Sequence, residues 1–374
     1  MESTTRADAP VTTGFSPPPY PYDRLDEIAA IAQQHPGGAV DLSVGTPSDP
    51  PPPEVNAALS AGDNARGYPP SIGTPAFRAA AAGWIERRLG AAVDPATELA
   101  ACVGTKEFVA SLPQYLKLRD PSRDTVLYPA ISYPTYEMGA TLAGLRAVPY
   151  LHRDEIEPAD ADRALCVWVN SPANPTGQLD DLPAAAAWGR ARGIPVISDE
   201  CYAEFTWTGA PTTILRDGVD GVVAVHSLSK RDNFAGARIG FYAGDRDLVH
   251  YLREVRKHAG LMPPGPVQAA AVLALGDDAH VEVQRARYRS RLERLAAVLG
   301  RLGVAAPLPD GAFYLWIPAP DGDAWALTRA LAERVGVVVS PGEFYGPRGA
   351  GYVRVAAVQP DDRIELVAQR AGLA

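Results

Sequence analysis

Cysteine is scarce in this chain. The three cysteines, Cys102, Cys166 and Cys201, are an odd number at spacings that fit no zinc pattern. They exclude a disulfide scaffold and read as free thiols of a reducing compartment. No two of the six histidines stand four residues apart, which removes the helical His-x-x-x-His metal motif, and no metal is expected. No apolar run approaches the roughly 20 residues needed to span a bilayer. Basic charge is in deficit, with 35 Lys and Arg against 44 Asp and Glu and a net charge of −9. A nucleic-acid-binding surface is the reverse of this. The segment Met1 to Tyr22 is polar and proline-rich, without the charged-then-apolar order of a signal peptide. A cytoplasmic protein with neither membrane nor nucleic acid as partner is expected.

The composition is otherwise ordinary for a globular protein, 47% hydrophobic and 21% charged over 374 residues, a length that suggests about two domains. Pro17, Pro18, Pro19 and Pro21 forbid helix, so the N-terminus reads as an arm, followed by a short helix from Asp23 to Gln34. From residue 99, apolar runs at Leu99–Val103, Thr125–Tyr128, Ala147–Leu151, Leu165–Val169, Pro195–Ser198 and Val222–His226 are bounded by turn residues and separated by helical patterns such as Leu182–Arg192. This predicts an α/β fold with a mostly parallel sheet covered by helices. After Asp245 the pattern turns to long helices (Leu248–His258, Val267–Leu275, Ala279–Leu302). Strands then mix with helices from about residue 305, which predicts a smaller α+β C-terminal domain. The expected divisions are an arm and short helix over 1–40, a large domain over 41–275 and a small one over 276–374. The arginines at 285, 287, 289, 291, 294 and 301 read as a solvated basic face or an inter-subunit seam.

Lys230, in Ser227-Leu228-Ser229-Lys230, follows an apolar strand, so it is predicted at a strand's C-terminal end, where ligands of open α/β sheets gather. A buried lysine amine can condense with an aldehyde and act as a base. Asp199 ends another apolar run; a carboxylate there can pair with a pyridine nitrogen, or simply cap a helix. Tyr202 and Asn174 can hydrogen-bond a phenolic oxygen; core packing and turn chemistry are their ordinary alternatives. Cys201 reads as packing against a ring face. Arg238 offers a planar, permanently charged fork for a phosphate. Gly104-Thr105-Lys106 opens a helical run whose free N–H groups suit an anion, with Ser227 and Ser229 close in sequence to Lys230. Arg354 alternates with apolar residues in a probable strand: it is either a surface charge or a buried fork that needs a carboxylate. Amine, carboxylate, phenol, amide and guanidinium together are what pyridoxal 5'-phosphate requires.

With these residues assembled, the chain from about Leu42 onward resembles the fold type I pyridoxal-phosphate-dependent aminotransferases of class I/II. The resemblance implies that Lys230 is the Schiff-base lysine, Asp199 the pyridinium partner, and Tyr202 and Asn174 the partners of the phenolic oxygen. It implies a phosphate cradle of Thr105, Lys106, Ser227 and Arg238, and an aromatic ring, Tyr133, stacked on the cofactor. Gly45, Asn174 and Arg354 would face the substrate, with Arg354 on its α-carboxylate. Tyr68 would reach across a homodimer to the neighbour's phosphate, so that active sites are shared.

The segments 226–231, 255–260, 266–270, 276–280 and 341–346 further resemble actinobacterial N-succinyldiaminopimelate aminotransferases. That likeness implies L-glutamate as donor and N-succinyl-2-amino-6-oxopimelate as acceptor, in lysine biosynthesis. Arg66, Arg231, Arg256, Lys257 and Arg348 are candidates for the acceptor's distal carboxylates. A broader-specificity aminotransferase or a β-lyase on the same fold is the alternative enzyme reading. A non-catalytic ligand-binding relative and a nucleotide-binding α/β protein are the alternatives outside this chemistry.

Overall fold

The computed structural model describes residues 14–61 and 66–373; residues 1–13 of the expected arm lie outside the described residues. The first strand is β1 (Val40–Asp41). Seven strands then build the main sheet: β2 (Leu99–Cys102), β3 (Thr125–Pro129), β4 (Arg146–Tyr150), β5 (Ala164–Asn170), β6 (Val196–Asp199), β7 (Val222–Ser227) and β8 (Gly240–Gly244). Their order across the sheet is β2-β8-β7-β6-β5-β3-β4. Strands β4, β3, β5, β6 and β7 run parallel. Every residue of β5, β6 and β7 is buried, which explains their unbroken apolar character.

Strand β8 is antiparallel to both β7 and β2. It is the one main-sheet strand absent from the sequence reading, because Gly240 and Gly244 bracket a run of only three residues. Those glycines are required: a Cβ on Gly240 would lie 2.7 Å from the His226 carbonyl, and one on Gly244 would lie 2.0 Å from the Val222 carbonyl.

Register decides where chemistry collects. Asn170 pairs with Asp199, Asp199 with Val225, and Ser227 with Gly240. The C-terminal ends of β5, β6 and β7 therefore form one edge, with Lys230 on the helical turn Leu228–Arg231 immediately above it.

The second unit holds the antiparallel strands β9 (Tyr314–Pro318), β11 (Ser340–Pro341) and β12 (Tyr352–Ala356) and the strand β10 (Val337–Val338), which pairs in parallel with β1. Val40 and Leu42 share a core with Leu292, Leu315, Val353 and Ile364. The helix Asp26–Ala32 buries Ile28 and Ala32 against Ala332, Val338 and Phe344. The described part of the arm thus packs on the C-terminal unit, and the division expected at residue 41 runs through β1. The helix Ala279–Arg301 connects the units. Its arginines divide: Arg291 is buried between Asp49 (2.6 Å) and Asp361 (2.6 Å) and Arg285 donates to the carbonyls of Glu204 and Thr206, whereas Arg287 and Arg289 are solvated. Among the described residues no helix is long and apolar enough to cross a membrane.

Candidate active site

Lys230 projects from its turn into the cleft between the two units, and its Nζ donates to the Gly45 carbonyl. Burial pulls the amine down to about 8, with Arg354 and Arg238 acting in the same direction and Cys201 and Asp199 opposing. Gly45 has no room for a side chain, since a Cβ would lie 2.0 Å from the Tyr314 hydroxyl.

Asp199 is buried at the end of β6. Its Oδ2 accepts from the Tyr136 hydroxyl at 2.8 Å and its Oδ1 from the Cys201 amide at 3.2 Å. Burial nevertheless holds its pKa above the ordinary carboxylate value, so a cationic partner above it is the natural complement. The Cys201 thiol lies 3.4 Å from the Thr105 hydroxyl, and burial pushes its pKa well up, which fits packing rather than reaction. Tyr133 meets Tyr136 edge to face at 5.9 Å.

Tyr202 is buried, and its hydroxyl is 2.7 Å from that of Tyr314. Asn174 is held from below, its amide N–H donating to Asn170 Oδ1 at 2.7 Å. Its side-chain oxygen accepts from Arg354 Nη1 at 2.7 Å, which leaves the side-chain NH2 as the end directed to an acceptor.

Arg354 is 2% exposed. Beyond Asn174, its Nη2 donates to the Ser43 carbonyl and, at 3.3 Å, to the Tyr22 hydroxyl. The rings of Tyr314 and Tyr345 lie 4.2 and 4.7 Å from its guanidinium carbon. Its Nε is buried without a hydrogen bond, and no carboxylate pairs with it among the described residues. A buried guanidinium left this way calls for an anion.

The phosphate-cradle candidates meet at the start of the helix Thr105–Arg119. Gly104 precedes it with φ +79°, and a Cβ there would lie 2.2 Å from Arg238 Nη2. Only glycine lets that guanidinium approach the free N–H groups of the helix start. Ser227 Oγ caps the Lys230 turn, accepting from Ser229 N at 3.0 Å, and keeps its proton for an acceptor. Lys106 Nζ lies 5.8 Å from the Tyr20 ring. Tyr68 stands apart at 96% exposure.

Sequence reasoning missed Tyr22, Tyr136, Tyr314 and Tyr345. Only Tyr136 carried a signal, three residues after Tyr133 at a helix start. The other three reach Arg354 from an N-terminal segment, from β9 and from the loop after β11. Two candidates for distal carboxylates are corrected. Arg256 is buried and bound by both oxygens of Glu107, at 3.0 and 2.6 Å. Arg231 is buried against Asp232. Neither guanidinium has charge to spare for a substrate.

This donor set fits pyridoxal phosphate: a depressed amine, a buried carboxylate with a raised pKa, a helix start that Arg238 can approach only because residue 104 is glycine, and an anion-deficient guanidinium. Among the described residues no cluster of three His, Cys, Asp or Glu side chains forms a metal site.

Comparison with known proteins agrees with this geometry. The family model for aminotransferase class I and II matches residues 38–370. The 4-dedimethylamino-4-oxo-anhydrotetracycline transaminase OxyQ of Streptomyces rimosus is 44% identical over 362 residues, covering 94% of this chain and 98% of the relative. The probable aminotransferase Rv1178 of Mycobacterium tuberculosis is 43% identical over 378 residues, covering 97% and 87%. Among solved structures, the N-succinyldiaminopimelate aminotransferase of Mycobacterium tuberculosis superposes with a TM-score of 0.82 at 29% identity, covering 94% of this chain and 97% of that one. The chain therefore belongs to the aminotransferase class I and II family, and it is a pyridoxal-phosphate-dependent transaminase of the α/β fold type I architecture.

Proposed function

We propose that this transaminase moves an amino group from L-glutamate to N-succinyl-2-amino-6-oxopimelate, with Lys230 holding the cofactor covalently at its aldehyde carbon. The observation that carries the assignment of an amino-acid substrate is Arg354, a buried cation lacking an anion in a cleft shared with Lys230. The N-succinyl acceptor is supported by the likeness to the mycobacterial enzyme of that name and by the motif segments noted above.

When bound, the cofactor supplies an aldehyde for the substrate amino group and a conjugated ring that takes up electron density from the α-carbon. The protein does the rest. Arg354 binds the α-carboxylate as a fork, with Asn174 and the Gly45 backbone fixing its orientation. Asp199 stays anionic and holds the ring nitrogen protonated, and Tyr136 keeps that carboxylate in place. Tyr202 and Asn174 donate to the phenolic oxygen. Thr105, Lys106, Ser227 and Arg238 would hold the phosphate at the helix start, and Tyr133 would pack against the ring. The Lys230 Nζ, when free, would take the α-proton as a general base and deliver it as a general acid. Its depressed pKa suits both roles near neutral pH.

A shared-site homodimer belongs to the same proposal. Tyr68 is almost fully exposed, as a side chain destined for a neighbouring subunit's phosphate would be. The free cysteines fit a reducing, cytoplasmic setting.

A second reading is favoured by the 44% identity to OxyQ: the acceptor is a polycyclic ketone instead. Formation of 2-oxoglutarate from glutamate, followed for the succinylated oxo-acid, oxaloacetate, pyruvate, aromatic oxo-acids and the tetracycline ketone, separates the two. The first reading expects the highest kcat/KM with the succinylated acceptor, and a clear preference for any other member of the panel refutes it.

A further inference from the structure

The two residues after Lys230 are charged, buried and turned away from the cleft. Arg231 Nη1 donates to Asp232 Oδ1 at 2.7 Å and to the Ala274 carbonyl at 3.0 Å, and its guanidinium carbon lies 5.4 Å from the Trp84 ring. On the far side of Arg231, Nε is 3.6 Å from Glu204 Oε1. Glu204 is held in turn by Trp84 Nε1 at 2.7 Å and Arg88 Nη2 at 2.9 Å. On the near side, Asp232 Oδ1 meets His280 Nε2 at 2.9 Å.

His280 is the second residue of Ala279–Arg301, the helix that links the two units. Its other nitrogen, Nδ1, lies 3.0 Å from Asp277 Oδ2, in ion-pair range but out of hydrogen-bond line. The groups facing the imidazole are thus two carboxylates, Asp232 from the Lys230 turn and Asp277 from the loop before the helix, with Arg231 as the nearby cation. Asp278 is drawn toward Arg231 (3.8 Å) and Arg87 (3.2 Å), and Glu282 toward Arg88 (2.5 Å).

An ionised carboxylate only accepts hydrogen bonds, and a neutral imidazole carries a single N–H. A carboxylate at each ring nitrogen therefore selects the imidazolium. Burial alone lowers the His280 pKa; the hydrogen bond and charge of Asp232, joined by Asp277, outweigh it and leave the pKa above its ordinary value. Asp232 is 1% exposed and its Oδ2 has no partner among the described residues, so it has no solvent to fall back on if the imidazolium loses its charge.

We propose that His280, held as an imidazolium between Asp232 and Asp277, is a positioning residue that clamps the Lys230 turn to the inter-domain helix, so that the reactivity of the Lys230 amine follows the charge of an imidazole outside the cleft. The proposal rests on the assignment of Lys230 as the cofactor-bearing residue. Because the folded-state pKa is raised, the clamp is complete below the ordinary histidine range and is lost as pH rises through the folded value.

The test compares cofactor-loaded wild type with His280→Gln, which keeps an N–H for Asp232 but not the charge. Two readouts are taken across pH: the rate of the glutamate half-reaction, and the absorbance titration of the bound cofactor without substrate. The expected result is a fall in rate on the order of 10- to 100-fold, the scale of a small misplacement of a reacting group. KM should change little, the alkaline limb that the clamp predicts for wild type should be absent, and the midpoint of the absorbance titration should shift. A variant that only melts earlier, with rate profile and absorbance midpoint unchanged, overturns the clamp. Asp277→Asn, at a more exposed partner, is the second variant and decides the matter if His280→Gln does not fold. It should move the alkaline limb to lower pH, and an unmoved limb overturns the proposal. Borohydride labelling of each variant separates the two ideas. A label on Lys230 with an unchanged pH profile sinks the clamp alone, whereas a label elsewhere sinks the lysine assignment with it.

Discussion

The Tyr136 hydroxyl donates to Asp199 Oδ2 at 2.8 Å, while its ring stacks on Trp168 at 4.9 Å. The carboxylate is buried, and burial raises its pKa; the Cys201 thiol, the Tyr136 hydroxyl and the Cys201 amide are the donors that oppose this. Tyr136→Phe keeps the stacked ring and removes one donor to a buried charge, an interaction worth about 1.5–3 kcal/mol. Cofactor affinity should fall roughly 10- to 100-fold, with the fold retained. Titration of cofactor-free protein with pyridoxal phosphate measures this, and unchanged affinity would place the support of Asp199 elsewhere.

Gly104→Ala tests the cradle. Its Cβ would enter a guanidinium 2.2 Å away at a backbone φ of +79°, and a non-glycine residue in such a conformation costs on the order of 1–3 kcal/mol. Arg238 must move or the helix start must shift, so phosphate binding should weaken at least about tenfold. Competition between pyridoxal phosphate and pyridoxal reports it: the variant should lose its preference for the phosphorylated form, and a retained preference counts against the cradle.

The depressed Lys230 amine predicts a pH dependence of cofactor capture. Only the neutral amine attacks an aldehyde, so uptake by cofactor-free protein should accelerate as pH rises through about 8 and level off above it. Asp199→Asn removes an anion that raises this pKa, so the midpoint should move down. Stopped-flow absorbance gives both midpoints. A wild-type midpoint near the ordinary lysine value of 10.5 contradicts the burial argument.

Arg291→Ala tests stability away from the cleft. It removes both Arg291 hydrogen bonds from the part-buried Asp49 carboxylate and leaves it Gln284 at 2.8 Å and Arg287 at 4.0 Å; hydrogen bonds to a charged group are worth about 1.5–3 kcal/mol. Urea unfolding should show a loss on that scale. Burial pushes the Asp49 pKa up, but the hydrogen bonds from Arg291 and Gln284 and the charges of Arg291 and Arg287 together outweigh it, and the pKa ends below the ordinary carboxylate value. That contribution is present above the unfolded carboxylate pKa and disappears as pH falls through the folded value, so the variant's deficit should narrow in acid.

The main sheet is readable in the sequence wherever an apolar run is unbroken and bounded by turn residues. Unbroken apolar runs such as Leu165–Val169 need no partner to identify them, and Asn174, Asp199 and Lys230 stand out because each follows the C-terminal end of such a run. Strand β8 is not readable in this way, since three residues between glycines carry no period. The tyrosines around Arg354 are invisible for another reason. Tyr22, Tyr314 and Tyr345 come from segments far apart in the chain, and each is an unremarkable aromatic until the register of β12 against β9 and the path of the N-terminal segment bring their hydroxyls and rings together. Arg231 and Arg256 mislead in the opposite sense: as bare charges they resemble substrate ligands, and only the carboxylates folded against them show that they are spoken for.

Borohydride reduction of the cofactor-loaded protein, followed by peptide mapping, tests the central claim most directly. A pyridoxyl label on Lys230, absent from Lys230→Arg together with transamination, is the predicted result. A label on any other lysine, or glutamate turnover by Lys230→Arg at the wild-type rate, would contradict it.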